Sequence, residues 1–208
     1  MTVITEGTLK LTFAAGWCAI KIDDTDWYRD GDAIANQVKA VDITAYGPQE
    51  PQEHWWIEIK DCFGHEQANR PRLVPNNPKP QELLDTEVWI KAKGWDDLVE
   101  AKRVKMFVVD EVVQKVAGTI TTLAVASRAP TTESRAVAVQ PYAKAFAPGV
   151  ALKVVLFLTW SGPDFGVLAS RLKTAMEQRL HAFNVTCLVV NETVTAPAQP
   201  WTVGRTAP

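Results

Sequence analysis

Residues 55–61, Trp-Trp-Ile-Glu-Ile-Lys-Asp, decide the fold of this chain. Apolar residues alternate here with charged ones, and successive side chains of a β-strand point to opposite faces. The alternation therefore predicts a strand over Trp55–Cys62. Three apolar side chains take one face of this strand, and Trp56, Glu58 and Lys60 take the other. Two charged groups thus lie on one face of a strand whose opposite face is apolar.

A second alternating segment, Val38–Tyr46, comes before this strand and carries Asp42 between apolar residues. The loop predicted between the two strands, Gly47–Glu53, contains two prolines. Sixteen residues separate Asp42 from Glu58, which is enough for two antiparallel strands and a loop. If the strands pair, both carboxylates lie within reach of one cation. Hard oxygen ligands of this kind suit Mg²⁺ or Mn²⁺.

The overall composition indicates a globular protein. The chain has 208 residues, of which 47% are hydrophobic and 22% charged, values typical of one domain that buries a core. The formal net charge of −2 argues against a protein that coats nucleic acid by charge alone, so DNA contact needs a local basic patch or a partner. Three widely spaced cysteines argue against a disulfide framework and a structural zinc site. Without a long apolar run or a signal peptide, we expect a cytoplasmic protein that does not contact membranes.

The rest of the chain predicts strands and helices around this pair of strands. Further strands are predicted over Leu9–Phe13, Trp17–Ile22, Leu152–Trp160 and Val185–Val190, and the main helices within Trp95–Ser127 and Phe165–Phe183. The near-continuous apolar run after Leu152 is typical of a strand covered on both faces. We predict an α/β (α+β) fold with a central mixed sheet flanked by helices. One domain would span residues 1–192, followed by a loose C-terminal tail over 193–208.

The segments between these elements predict less regular structure. Gly64–Pro80 holds four prolines and predicts a long surface loop. Gln81–Lys93 has a mixed pattern, and Ala129–Gly149, rich in small residues, predicts a connecting segment. Ala33–Val38 predicts one helical turn or the start of the following strand. The acidic residues of Asp23–Gly31 predict a turn rather than a second cation site.

Asp42, followed by Glu58-Ile59-Lys60 on the next strand, resembles the motif of the PD-(D/E)XK nuclease superfamily, whose members include restriction enzymes, junction resolvases and repair nucleases. The resemblance implies a restriction-endonuclease-like fold and metal-dependent hydrolysis of phosphodiester bonds in DNA. It also implies that Asp42, Glu58 and the backbone carbonyl of Ile59 bind Mg²⁺ or Mn²⁺. Lys60 would be the catalytic lysine, which orients the attacking water or offsets charge on the phosphate.

The resemblance implies further site residues outside the motif. The helix after the ExK strand often adds a polar residue in this family, which points to Gln114 as a catalytic residue and to Lys115 as a substrate-binding one. Arg70 and Arg72 in the long loop become candidates for phosphate contacts. Such domains often act as homodimers or within larger protein assemblies, so we expect DNA and a second protein chain as partners.

Three other interpretations fit the same residues. Asp42, Glu58 and Lys60 could form a solvated strand face with a cross-strand ion pair. The nuclease fold could carry an inactive site and serve as a scaffold or subunit of a larger nucleic-acid-processing or defence complex. The chain could also be an unrelated α+β interaction module in which some of the eight tryptophans form a partner surface.

Overall fold

The computed structural model describes residues 1–30, 37–49, 52–75, 79, 81–102 and 105–206. The strands are β1 (Val3–Glu6), β2 (Leu9–Phe13), β3 (Cys18–Ile20), β4 (Ile43–Tyr46), β5 (Glu53–Asp61), β6 (Ala151–Thr159), β7 (Thr186–Val190) and β8 (Trp201–Arg205). The α-helices are α1 (Asp26–Arg29), α2 (Glu66–Asn69), α3 (Gln81–Ala92), α4 (Val108–Arg128), α5 (Ser134–Val139) and α6 (Phe165–Leu180). Short 3₁₀ helices cover Ile22–Asp24, Arg70–Leu73, Gln140–Phe146 and His181–Phe183.

Five strands form one mixed sheet in the order β3-β4-β5-β6-β7. The pairs β3–β4 and β4–β5 are antiparallel, whereas β5–β6 and β6–β7 are parallel. Parallel neighbours need a crossover, and α4 and α6 provide the two crossovers here. The predicted α/β fold with a central mixed sheet is therefore confirmed.

Both faces of this sheet are covered, which makes β5 a buried strand. Helices α4 and α6 pack on the face that carries Trp56, and the antiparallel sheet β1-β2-β8 packs on the face that carries Trp55 and Ile57. The alternation predicted for β5 is thus confirmed. Glu58 and Lys60 share the helix-covered face with Trp56, because they lie at the same alternating positions.

The end of the chain is not the loose tail predicted over 193–208. Residues Trp201–Arg205 form β8, which pairs antiparallel with β2 and so connects the end of the described chain to its beginning. Trp201 is buried and packs edge-to-face on Trp55, with ring centroids 5.0 Å apart. A five-residue strand after a proline-rich stretch has too little alternation to be recognised, and its partner lies nearly the whole chain away. The domain boundary predicted at residue 192 therefore leaves out a strand of the fold.

The stretch Trp95–Ser127, predicted to be mainly helical, contains α4, which begins at Val108. The described residues before Val108 in this stretch are not helical. The helix before it, α3, covers most of the segment predicted as mixed and ends at Ala92. Gly94, in the turn that follows, has a φ of 66°, which suits a residue without a side chain. Helical turns also occupy parts of the predicted loop Gly64–Pro80 and of the predicted connection Ala129–Gly149. Most of Ala33–Val38 lies outside the described residues. Among the described residues, no helix is long and apolar enough to cross a membrane.

Gly118, inside α4, has a steric role that also positions Asp42. A Cβ atom at Gly118 would lie 1.9 Å from the backbone oxygen of Lys39, so only glycine lets the two segments approach this closely. One residue later, Thr119 Oγ1 accepts a hydrogen bond of 2.9 Å from the N–H of Val41. These contacts hold the segment that leads into Asp42 against the middle of α4.

Candidate functional site

The candidate site lies between β5 and α4, on the helix-covered face of the mixed sheet. Asp42 stands one residue before β4, and its Oδ2 accepts a hydrogen bond of 2.6 Å from the backbone N–H of Ile59. This bond fixes the Asp42 carboxylate beside the middle of β5. Glu58 is fully buried, and Asp42 is 9% exposed. The predicted triad is therefore assembled in the interior rather than on a solvated strand face.

Lys115 of α4 connects the two carboxylates. Its Nζ lies 2.8 Å from Asp42 Oδ1 and 2.7 Å from Glu58 Oε1. These two oxygens can therefore be no farther apart than the sum of the two distances, 5.5 Å. Ligands stand about 2.0–2.6 Å from Mg²⁺ or Ca²⁺, so two oxygens bound to one ion are at most about 5.2 Å apart. The upper limit of 5.5 Å for the two carboxylate oxygens is close to that value. The Lys115 ammonium occupies the space between the carboxylates in this structure.

Two further ion pairs extend the cluster. Lys60 Nζ lies 2.6 Å from Glu58 Oε1 and 2.8 Å from Glu111 Oε1. Glu111 in turn contacts Arg72, whose Nη2 is 2.5 Å from Glu111 Oε2. The order of contacts is Asp42, Lys115, Glu58, Lys60, Glu111 and Arg72, so negative and positive groups alternate and the formal charges cancel. We call these six residues the charged network. None of their side chains is more than 18% exposed.

The protonation states follow from burial and from these neighbours. Burial, together with repulsion from Asp42, raises the pKa of Glu58 to about 7, although Lys60 and Lys115 act in the opposite direction. Glu58 Oε2 is buried and has no hydrogen-bond partner among the described residues. Burial disfavours the ammonium of Lys115, but the Glu58 and Asp42 carboxylates outweigh it and raise its pKa. Glu58 therefore exchanges a proton near neutral pH beside a lysine that stays charged.

Glu111 keeps its charge for a related reason. Burial opposes its ionised form, but the hydrogen bond from Lys60 and the charges of Lys60 and Arg72 outweigh that effect and lower its pKa. A cavity of about 10 Å³ lies next to this end of the network, lined by Lys60, Arg72 and neighbouring apolar residues. That volume is about enough for one water molecule. The network is thus close-packed, and its charges have little contact with solvent.

The structure brings together most of the residues predicted for the site. Lys115 and Arg72 join Asp42, Glu58 and Lys60 in the network, and Ile59 takes part through its backbone N–H. Arg72 lies in a 3₁₀ helix rather than in the predicted loop, and this helix turns its guanidinium toward Glu111.

Gln114 and Arg70 do not join the network. Gln114 is exposed and lines a cleft on another side of α4 with Val38 and Ala117. Successive residues of a helix point about 100° apart, so the side of α4 that presents Lys115 to β5 turns Gln114 away. Arg70 is exposed at the start of its 3₁₀ helix.

The sequence interpretation missed Glu111. Glu111 and Lys115 are four residues apart and therefore lie on the same side of α4, next to the buried valines of this helix. A charged pair at this spacing beside an apolar stripe was a signal available in the sequence. The pair indicates a site only in combination with β5, because Lys60 and Glu58 of that strand are the partners of Glu111 and Lys115.

The donor atoms of the network fit a hard cation better than zinc. Within the described ranges, no group of three or more His, Cys, Asp or Glu side chains is arranged to hold a metal ion. Mg²⁺ does not need such a group, because one or two carboxylates with water and substrate oxygens complete its shell. The Oε2 atom of Glu58, which lacks a hydrogen-bond partner, is a free donor for such an ion. The network therefore contains a minimal set of oxygen ligands for Mg²⁺ or Mn²⁺.

Comparisons of the chain with protein-family models, curated proteins and solved structures gave no match.

Proposed function

We propose that this protein is a metal-dependent endonuclease that hydrolyses phosphodiester bonds in DNA, with Mg²⁺ or Mn²⁺ held by Asp42, Glu58 and the carbonyl of Ile59. The observation that carries the proposal is the convergence of two carboxylates and Lys60. Glu58 and Lys60 lie on β5 with Glu58 Oε1 only 2.6 Å from Lys60 Nζ, and Asp42, just before β4, accepts a hydrogen bond from Ile59 N–H. The antiparallel β4–β5 pair, followed by α4 and the parallel strand β6, supports the resemblance to the PD-(D/E)XK superfamily. A cytoplasmic location belongs to the same proposal.

Each residue of the network has a role in this proposal. When bound, the metal would polarise the phosphodiester and lower the pKa of a coordinated water. Lys60 offsets charge that develops on the phosphate. Lys115 holds the two carboxylates together in the metal-free protein and, once released, offers its charge to the phosphate backbone. Glu111 keeps Lys60 and Arg72 in place through its two oxygens.

The test separates metal binding from cleavage. Mn²⁺ binding is measured by titration calorimetry, and cleavage is measured on single-stranded, double-stranded and supercoiled DNA. We expect Glu58→Gln to abolish both, and Lys60→Ala to retain Mn²⁺ binding while cleavage falls by about a hundredfold or more, as for loss of one charge-stabilising group. The matched control is Glu53→Gln, on the same strand, whose carboxylate pairs with Lys153 away from the network. No cleavage of any DNA by a protein that also fails to bind Mn²⁺ would refute the proposal.

A second function is favoured because the carboxylates of the network are already paired with lysine and have little space beside them. Lys115 already forms ion pairs with both carboxylates, and the neighbouring cavity has room for about one water. This arrangement suits a catalytically inactive nuclease-fold protein that serves as a scaffold or subunit of a larger complex. The two functions differ in one observable. In the scaffold, Mn²⁺ does not displace the ammonium of Lys115, so the wild-type protein and Glu58→Gln show the same negligible Mn²⁺ binding.

A further inference from the structure

A cavity of about 700 Å³ lies at the carboxyl ends of the parallel strands β5, β6 and β7. Phe63, Trp160 and Asn191 come just after the ends of these strands and line it. The rings of Phe63, Trp160 and Phe165 make its walls aromatic, and Phe63 is 59% exposed. Residues 203–205 of β8 form a further wall. The volume falls within the range of about 300–1,000 Å³ that is typical of ligand pockets.

Strand β8 is an edge strand, and part of its outer edge is unpaired. In the sheet order β1-β2-β8 it pairs only with β2. Thr206 N–H donates to Thr8 O, so this pair is hydrogen-bonded and, two residues along, Gly204 and its partner are hydrogen-bonded as well. Because the two sides of a strand alternate, the N–H and C=O groups of Val203 and Arg205 point away from β2. Among the residues that the structure describes, none of these four groups forms a hydrogen bond.

An open strand edge beside an apolar cavity suits a particular kind of ligand. An extended peptide adds to such an edge as a further strand, and its alternate side chains enter a neighbouring pocket. Val203 and Gly204 belong to both features, because they lie on β8 and also line the cavity. A Cβ atom at Gly204 would meet no atom within 4 Å, so there is open space beside this part of the strand. The site therefore suits an extended peptide with a large apolar side chain.

The charges around the cavity favour a basic peptide. Four carboxylates contact side chains that line the cavity, and they belong to Asp61, Glu66, Asp164 and Glu192. Arg205 pairs with Asp61 and Glu192, so four negative charges and one positive charge leave −3. Lys10 stands opposite Gly204 in the ladder, and including it leaves −2. A negative potential attracts lysine and arginine and repels the phosphates of nucleic acid.

We propose that the edge of β8 and the cavity beside it bind an extended basic peptide of a partner protein as an added strand. The main chain of the peptide pairs with Val203 and Arg205. One large apolar side chain of the peptide enters the cavity against Phe63 and Trp160, and its basic side chains meet the four carboxylates. The proposal uses no side chain of the charged network, so it stands or falls separately from the proposed metal site.

The experiment first selects binders from a displayed library of random heptapeptides on the full chain, without added metal. We expect the recovered sequences to combine basic residues with one large apolar residue, at the alternating positions of a strand. Titration calorimetry then measures the affinity of the consensus peptide. No enriched sequence, or enrichment of acidic sequences, overturns the proposal.

A proline on each edge of the three-stranded sheet locates the bound peptide. Val203→Pro removes an outward N–H but no hydrogen bond to β2, and edge strands tolerate proline at such positions. We expect the dissociation constant to rise about tenfold, because one hydrogen bond is lost and the proline ring blocks the edge. Thr5→Pro is the matched control, since the N–H of Thr5 also points outward, from the opposite edge strand β1. Unchanged binding by a folded Val203→Pro protein, verified by circular dichroism, overturns the proposal.

A second variant tests the cavity while the backbone stays unchanged. Phe63→Ala should raise the dissociation constant at least about tenfold, as for loss of an aromatic anchor. Phe183→Ala is the matched control, because Phe183 is 41% exposed and lies after α6, outside the cavity lining. Equal affinities of these two variants would contradict a peptide bound in the cavity. Displacement of the peptide by single-stranded DNA would assign the cavity to nucleic acid and would also overturn the proposal.

Discussion

The charged network and the exposed apolar side chains of α3 and the turn after it differ from the usual distribution of residues in opposite ways. We call the second group the α3 surface; it consists of Leu84, Val88, Trp89, Trp95, Leu98 and Val99. In the network, six ionisable side chains lie in the interior, with Glu58 fully buried. On the α3 surface, large apolar side chains lie in water, with Leu98 83% exposed. Buried charge and exposed apolar surface are both informative, because each carries a free-energy cost that ordinary positions avoid. The charges of the network are compensated within one chain, whereas the apolar side chains of the α3 surface stay exposed to water.

The largest effect should come from removing the cation that joins the two carboxylates. Lys115→Met leaves Asp42 without its lysine and Glu58 with Lys60 alone, and breaking a buried ion pair by removing one partner costs about 3–5 kcal/mol. Urea unfolding measures the loss. The control Lys173→Met removes an exposed lysine that pairs with Glu177 four residues away, and should cost less than about 1 kcal/mol. Equal losses in the two variants would show that the network contributes no more than a surface ion pair.

The next effect concerns the proton on Glu58. Its pKa is about 7 in the folded protein, against an ordinary value of 4.5 for a glutamate in water, so folding favours the protonated form. This contribution to stability is fully present below pH 4.5 and is lost as the pH rises through 7. Glu58→Gln cannot lose a proton, so its free energy of unfolding should rise relative to the wild type by roughly 2–3 kcal/mol between these pH values. A difference that stays constant with pH would contradict a proton held by Glu58.

A smaller effect should come from Gly118, which lets α4 approach the segment before Asp42. Gly118→Ala places a Cβ against the backbone oxygen of Lys39. The strain should exceed the gain in helix propensity, for a net loss of about 2 kcal/mol. Gly166→Ala is the matched control, because a Cβ there meets nothing within 4 Å. It should be neutral or stabilising by up to about 1 kcal/mol, as thermal unfolding would show. A stable Gly118→Ala protein would mean that the two segments can separate at little cost.

The smallest effect is expected on the α3 surface. Val88→Glu should change the free energy of unfolding of the monomer by less than about 0.5 kcal/mol, since an exposed side chain loses no packing. The measurement is urea unfolding at low protein concentration. A large loss of monomer stability would show that Val88 packs within its own chain, and the contrast with the network would disappear.

Much of the fold and of the site could be predicted from local pattern. The alternation around Glu58 gave the buried strand β5, and the apolar spacing of Leu168, Leu172 and Met176 gave α6, all three being buried as that spacing requires. Short elements were harder to recognise. Strand β8 has five residues after a proline-rich stretch, and it is held by pairing with β2 rather than by its own pattern. Helix α3 has a weak apolar stripe, because its apolar side chains are distributed over more than one face.

The sequence alone determined that Glu58 and Lys60 would share one face of a strand, because strand alternation acts over a few residues. It placed Asp42 near them only if the two predicted strands paired. Only the tertiary structure decided that these charges would be buried and paired with Glu111, Lys115 and Arg72. Those partners come from segments that meet β5 through long-range packing, and the close approach at Gly118 sets how near α4 lies. Local periodicity fixes which way a side chain points. What that side chain meets depends on which distant elements pack against it.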